Sequence, residues 1–364
     1  MNDTHPKNTP NELKLSELYN SNYFAPNVEL FKFLLMPFVF VALLGFPLFN
    51  TVGNYISSIS NFAALSFFIF CGFFTMVPDR EQRMRKLTRA VKRSWLFFLV
   101  LFATYFVLNI AYLAYVGSLK SLIEPEMLRV RTFFNFLVLN VWPLPMGTAI
   151  WFIQALAYSY LVLFLIEKLK FSKIYIPLLA VLLVLMLLSG EFAKAIGFPY
   201  LNYRYIPGGW LTKALPFMLI GMLLRKYIDK FARIPRFVYG ITFFAGIGCA
   251  IGERILLEKI GWFVYSGNAV GYAIMALSFC LFALIAPNIG NGLLGNHGGN
   301  YARRMYALCQ PVYLLLWVTA GAINQSLLLT LADFASIICF VICFALAFVI
   351  GLIRFRFFLK KMSS

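Results

Sequence analysis

Ten runs of apolar residues, separated by shorter polar stretches, organise this chain. They fall at about 28–49, 61–77, 94–116, 149–166, 174–190, 211–224, 237–252, 265–286, 305–322 and 327–352. A helix that crosses a bilayer needs about 20 residues. Most of the runs approach that length, and the sixth and seventh fall short of it. The pattern predicts an all-α, polytopic membrane protein of about ten transmembrane helices. A polar tail precedes them over 1–26, a membrane domain fills 27–353, and a basic tail closes the chain over 354–364. The first tail carries Pro6, Pro10 and Pro26. It lacks the basic flank, short apolar run and small-residue cleavage site of a signal peptide. We expect it to be cytoplasmic, with a short surface helix near 11–20.

Composition excludes the main alternatives. Of 364 residues, 61% are hydrophobic and only 13% charged, against about 25% charged in a soluble domain. A soluble fold of this size exposes too much surface to hide that apolar content. A disordered chain is excluded by the same numbers.

Charge then orients the segments. The net charge is +18, and its placement follows the positive-inside rule. With the N-terminus inside, 24 of the 32 basic residues fall on the inner side and 8 on the outer. The first inner loop alone holds Arg80, Arg83, Arg85, Lys86, Arg89, Lys92 and Arg93. Both termini are therefore expected inside, with an even number of spans. The basic loops are expected to meet anionic lipid headgroups on the cytoplasmic face of the cell membrane. That placement leaves no nucleic-acid surface.

Two outer stretches are too long for minimal turns. Residues 117–148 are expected to include a short helix at the interface. Residues 191–210 are rich in aromatic residues, proline and glycine, from Phe198 to Trp210. They read either as an interfacial aromatic belt or as the mouth of a site for a sugar-like ligand. The six cysteines, at 71, 249, 280, 309, 339 and 343, form no CxxC pair and read as small apolar residues. No Walker A or dinucleotide motif is present, and no metal site is expected.

Four segments carry a resemblance. They are Asn27-Val28-Glu29-Leu30-Phe31-Lys32 opening the first helix, Phe67-Phe68-Ile69-Phe70-Cys71-Gly72-Phe73-Phe74 before a basic loop, Trp151-Phe152-Ile153-Gln154-Ala155-Leu156, and Leu215-Pro216-Phe217-Met218-Leu219-Ile220-Gly221-Met222-Leu223-Leu224-Arg225-Lys226. Tyr306-Ala307-Leu308-Cys309-Gln310-Pro311 is a weaker fifth. In their order and spacing these resemble the membrane-bound acyltransferase-3 family over nearly the whole chain. The resemblance implies about ten transmembrane helices. It also implies transfer of an acyl group, commonly acetyl, from cytoplasmic acetyl-CoA or another acyl-CoA to a hydroxyl of a cell-surface or lipid-linked glycan.

Such chemistry needs a base near the hydroxyl and a stabilised oxyanion. The family's first histidine would fall near Leu43, and its later one at Gln310; neither is histidine here. The only histidines are His5 in the tail and His297 in an expected inner loop. Asp333, an ionisable group early in the last helix, is the candidate base. Gln310, Gln154 and Trp151 are further candidates for the reacting centre. Lys86, Arg89 and Arg93 on one helix face, with Lys32, are candidates for the donor phosphates; plain topology signals explain that cluster equally well. Glu29 and Lys32 share a face, so they pair with each other or with a neighbouring helix. Three classes stay open: an acyltransferase, a catalytically silent relative serving surface-polysaccharide export or assembly, and an unrelated transporter.

Overall fold

A computed structural model describes residues 26–45, 50–115, 130–138, 149–189, 209–261, 270–285, 293–323 and 325–362, with Tyr19, Gly117 and Asn140. Every regular element among them is helical. In hydrocarbon, a helix satisfies its backbone groups internally, which apolar runs of this length require. The helices are α1 Pro26–Leu34, α2 Met36–Leu44, α3 Asn50–Ile59, α4 Phe62–Thr75, α5 Arg80–Tyr115, α6 Val130–Leu137 and α7 Ile150–Lys168. They continue as α8 Tyr175–Ser189, α9 Leu215–Phe231, α10 Arg236–Lys259, α11 Val270–Ile285, α12 Leu293–Ile323 and α13 Gln325–Met362.

Seven helices among the described residues are long and apolar enough to cross a membrane. They are Asn27–Leu44, Tyr55–Thr75, Arg80–Tyr115, Ile150–Lys168, Arg236–Lys259, His297–Ile323 and Phe334–Ile353. Ser172–Leu188 and Val270–Ile285 are shorter apolar helices. The chain is a helical membrane protein.

Local chemistry sets the breaks. Pro37 lacks an N–H and sits in the first turn of α2, so the first apolar segment divides at Leu35. Pro216 does the same at the start of α9, which is entered through a π turn over Trp210–Ala214. Asp79 caps α5, accepting from the amides of Gln82 at 2.9 Å and Glu81 at 3.3 Å. With no glycine or proline to stop it, α5 runs for 36 residues. That is about 54 Å, well beyond a ~30 Å hydrocarbon core, so its basic first turns project from the apolar layer.

Two features depart from the sequence pattern. The segment 293–300, with Gly295, His297, Gly298 and Gly299, is the first part of α12 rather than a loop. Tertiary packing overrides the low helix propensity of glycine there: a Cβ on Gly298 would overlap the Glu29 carbonyl, so only glycine lets α12 lie against α1. Asn50–Ile59 is also helical and leads directly into α4. The expected short helix within 117–148 is α6; the helix expected near 11–20 lies outside the described residues.

Helix α4 packs against α9 and α11, α10 against α11, α5 against α7, and α12 against both α1 and α13. Close approach depends on small residues, as is usual where lipid supplies no hydrophobic drive between helices. A Cβ on Gly72 would overlap the Met218 carbonyl, and one on Gly221 the Ile69 carbonyl.

One end of the bundle gathers the basic segments. Arg80 Nη2 donates to the Glu167 carbonyl at 2.8 Å. Arg83 bonds both carboxylate oxygens of Glu167, at 2.8 and 3.2 Å, and also donates to the Val77 carbonyl at 2.6 Å. Tyr175 donates to the same carboxylate at 2.6 Å. These bonds pin the start of α5 to the end of α7 and the start of α8. At this end too, Tyr19 donates to the Leu284 carbonyl at 2.8 Å, under the guanidinium of Arg225.

Candidate functional site

Where α1, α2, α4, α5, α7 and α12 meet, the packing leaves a cavity of about 780 Å³. Its volume is that of a ligand site. The wall at the basic end holds Glu29, Lys32, Cys71, Arg93, Tyr160 and Arg303. The wall at the other end holds Leu43, Ser60, Asn61, Ala63, Ala64 and Trp151. From Cys71 to Ser60 it follows α4 for roughly 16 Å at ~1.5 Å per residue.

Three helices supply the cations of the basic end. Lys32 comes from α1 and bonds Glu29 at 2.5 Å, one turn earlier on the same face. Its ammonium also lies 5.3 Å from the centre of the Phe74 ring. Glu29 in turn packs against Gly299, where any side chain would collide with the carboxylate. Arg93 comes from α5 and Arg303 from α12; both are exposed at the cavity. Cys71 and Tyr160 lie against each other between them. Two guanidinium groups and an ammonium thus converge where one carboxylate stands, leaving the cavity end net positive.

The opposite end offers little chemistry of its own. Ser60 Oγ donates to the Ile56 carbonyl at 2.8 Å, and Asn61 Nδ2 to the Ser58 carbonyl at 3.0 Å. Both are occupied with ending α3 and starting α4. Leu43, the position at which the family resemblance implies a histidine, lines the wall. Among the described residues no histidine lines the cavity.

The residues singled out from sequence separate. Lys32, Arg93 and Trp151 line the cavity. Lys86 and Arg89 lie exposed along the same helix as Arg93, nearer its start and off the cavity wall. Gln154 is buried one turn from Trp151 and serves α6: its Nε2 donates to the Phe136 carbonyl at 2.8 Å. Tyr158 donates to the Leu137 carbonyl at 2.7 Å and Trp210 Nε1 to the Val138 carbonyl at 3.0 Å. Three consecutive carbonyls at the end of α6 are thereby satisfied by side chains of other elements, a need created by every helix end. Asn140, with φ of 60°, donates to the Trp151 carbonyl at 2.8 Å and closes the group. Gln310 is buried in α12 before Pro311 and does not line the cavity. Asp333 belongs to α13, and its side chain lies outside the described residues.

Arg303, Cys71 and Tyr160 were not among the sequence candidates. Arg303 had a signal: it begins an apolar segment beside Arg304. Adjacent helical residues point about 100° apart, and the structure splits the pair. Arg304 donates to the Ala347 carbonyl on α13 at 3.1 Å, while Arg303 faces the cavity. Four cysteines, 280, 309, 339 and 343, are buried among apolar neighbours.

The fold and the cavity define a helical membrane protein with an apolar pocket closed at one end by cations. No family model, no curated protein and no solved structure matches the chain, so its chemistry is argued from these residues.

Proposed function

We propose that this protein is a multi-pass acyltransferase of the membrane-bound acyltransferase-3 type. It would take an acyl-CoA at the basic end of the cavity and pass the acyl group to a hydroxyl of a cell-surface or lipid-linked glycan. The carrying observation is the convergence of Lys32, Arg93 and Arg303, from three helices, on one end of a largely apolar cavity. Cations so placed suit phosphate oxygens, and arginine can bind them through two parallel N–H groups.

Orientation supports the same reading. With ten spans and both termini inside, the basic end of the bundle faces the cytoplasm, where coenzyme A is found. Among the described residues helices occupy all ten apolar runs, and seven helices are long and apolar enough to cross a membrane. Reporter fusions at Phe171 and Ala232 should then report the cytoplasm of a cell membrane, and fusions at Ser118 and Gly197 the outside.

A second reading rests on Leu43. With leucine there and no histidine on the cavity wall among the described residues, a chain that binds a donor-like ligand without turning it over, as a silent relative in polymer export or assembly would, fits as well. Two carboxylates are available as base for the enzyme reading: Glu29 in the cavity and Asp333 at the opposite end of the bundle.

Labelled acyl-CoA, presented to purified protein in nanodiscs with envelope glycolipid extract, tests both. Transfer supports the enzyme. Binding of coenzyme A without transfer selects the silent relative. Absence of binding removes the donor site altogether.

A further inference from the structure

Beyond the basic end, the cavity is lined mainly by Leu96, Phe97 and Val100 of α5, Val39, Ala42 and Leu43 of α2, and Ala63, Ala64 and Phe67 of α4, with Ser94 on α5 and Ser60, Asn61 and Trp151 at the far end. Those nine side chains are apolar, and three are alanines where larger residues would fill the space. An acetyl group would occupy a small corner of 780 Å³, and an apolar void offers water too few partners to hold it. An apolar occupant suits the stretch between α2, α4 and α5.

The shape says what. The cavity extends for roughly 16 Å, about half of a ~30 Å hydrocarbon core, which is the depth of one leaflet. Leu96 and Val100 line it and are 64% and 54% exposed. Ala42, across the gap on α2, is exposed as well. The side of the cavity between α5 and α2 is thus bordered by accessible apolar side chains, where a sideways opening to the acyl-chain region of the bilayer would lie. Among the described residues, the basic side chains that line the cavity, Lys32, Arg93 and Arg303, stand at the end that would lie at the headgroup level, while Lys213 lies over the Trp151 ring at the far end. A groove of about one-leaflet depth, cationic at its head and mostly apolar along its length, matches an amphiphile with an anionic head and a single long tail.

We infer that the acyl group carried by the donor is a long hydrocarbon chain, seated along Leu96, Val100, Leu43 and Ala64, and reaching its place sideways between α5 and α2. The inference rests on the acyl-CoA reading of the basic end and adds the chain-length class of the substrate.

The experiment compares free coenzyme A, acetyl-CoA and hexadecanoyl-CoA for binding to the full chain in phosphatidylcholine nanodiscs, with empty nanodiscs subtracting partition into lipid. A buried methylene is worth about 0.8 kcal/mol, so even partial seating of the chain should raise affinity at least tenfold over acetyl-CoA. Ala64→Phe, which fills the groove, should abolish that gain while free coenzyme A binds as before. Ala42→Phe, at a lipid-exposed position, serves the same purpose if Ala64→Phe does not fold. A diazirine at the chain terminus of hexadecanoyl-CoA should crosslink to α2, α4 or α5.

Equal affinity for acetyl- and hexadecanoyl-CoA overturns the inference while leaving the donor site standing. So does a chain-length gain that both groove-filling variants leave untouched. If no form of coenzyme A binds, the donor reading itself fails and the inference with it; crosslinking by a photoactivatable phosphatidate in that case would make the groove a plain lipid site.

Discussion

Arg83 grips Glu167 through both carboxylate oxygens, and Glu167 is 0% exposed. A buried ion pair offsets its desolvation only when its remaining donors and acceptors are also satisfied. Here Tyr175 and the Val77 carbonyl complete the set. Removing one partner strands the other, so Glu167→Ala should lower stability by about 3–5 kcal/mol. The double variant Arg83→Met, Glu167→Leu should recover most of that loss. Thermal unfolding in detergent measures both; equal destabilisation by single and double variants would contradict the account.

The crossing of α4 and α9 makes a second prediction. Gly72→Ala places a methyl group against the Met218 backbone, which cannot rotate away as a side chain can. The helices must part, at about 1–3 kcal/mol. Gly248→Ala, on α10 with open space around it, is the control and should be neutral or slightly stabilising, given alanine's better helix propensity. Melting temperatures of the two variants decide.

The end of α6 can be dismantled one donor at a time. Tyr158→Phe and Trp210→Phe keep an aromatic ring and remove the hydrogen bonds to Leu137 and Val138. Each should cost about 0.5–1.5 kcal/mol. Gln154→Leu should cost more, about 1–3 kcal/mol, because it leaves the Phe136 carbonyl facing a buried apolar side chain. Urea titration of the three variants in mild detergent would rank them; a neutral Gln154→Leu would show that α6 is held by other means.

At the basic end the arginines should separate by function. Arg93→Gln and Arg303→Gln remove guanidinium groups that face the cavity, and each should weaken coenzyme A binding about tenfold, one charge-assisted contact being worth about 1.5–3 kcal/mol. Arg85→Gln, which breaks only an exposed pair with Glu81 at 3.4 Å, should change it less than twofold. Isothermal titration on folded, monodisperse protein makes the comparison, and uniform losses would indicate a diffuse charge effect.

The two carboxylates make opposite predictions for the base. If Glu29 accepts the proton, Glu29→Gln should lower turnover by roughly 10²–10⁴, with Asp333→Asn near wild type. If Asp333 does so, the effects exchange. Initial rates from pH 5 to 9 distinguish them, and normal turnover in both variants would leave neither as base.

Run length and composition determined the class of this protein. Ten apolar runs in a chain that is 61% hydrophobic can only be buried in a bilayer, and a backbone in hydrocarbon must close its own hydrogen bonds. Each run accordingly carries a helix. Lys32, Arg93 and Trp151 were also legible as site candidates, from charge and aromatic residues at helix ends. Which cation faces the cavity was not. Arg83 and Arg93 lie on one helix, yet Arg83 is spent on Glu167 and Arg93 looks into the cavity. Arg303 and Arg304 are adjacent, yet only Arg303 does. That choice depends on which helix stands beside each turn, and a periodic pattern carries no information about its neighbours. Likewise, glycine disfavours helix locally, and only the approach of α1 made Gly298 and Gly299 helical. The cavity is a tertiary property in the same sense: it is the space that six helices leave between them, and no one of them encodes it.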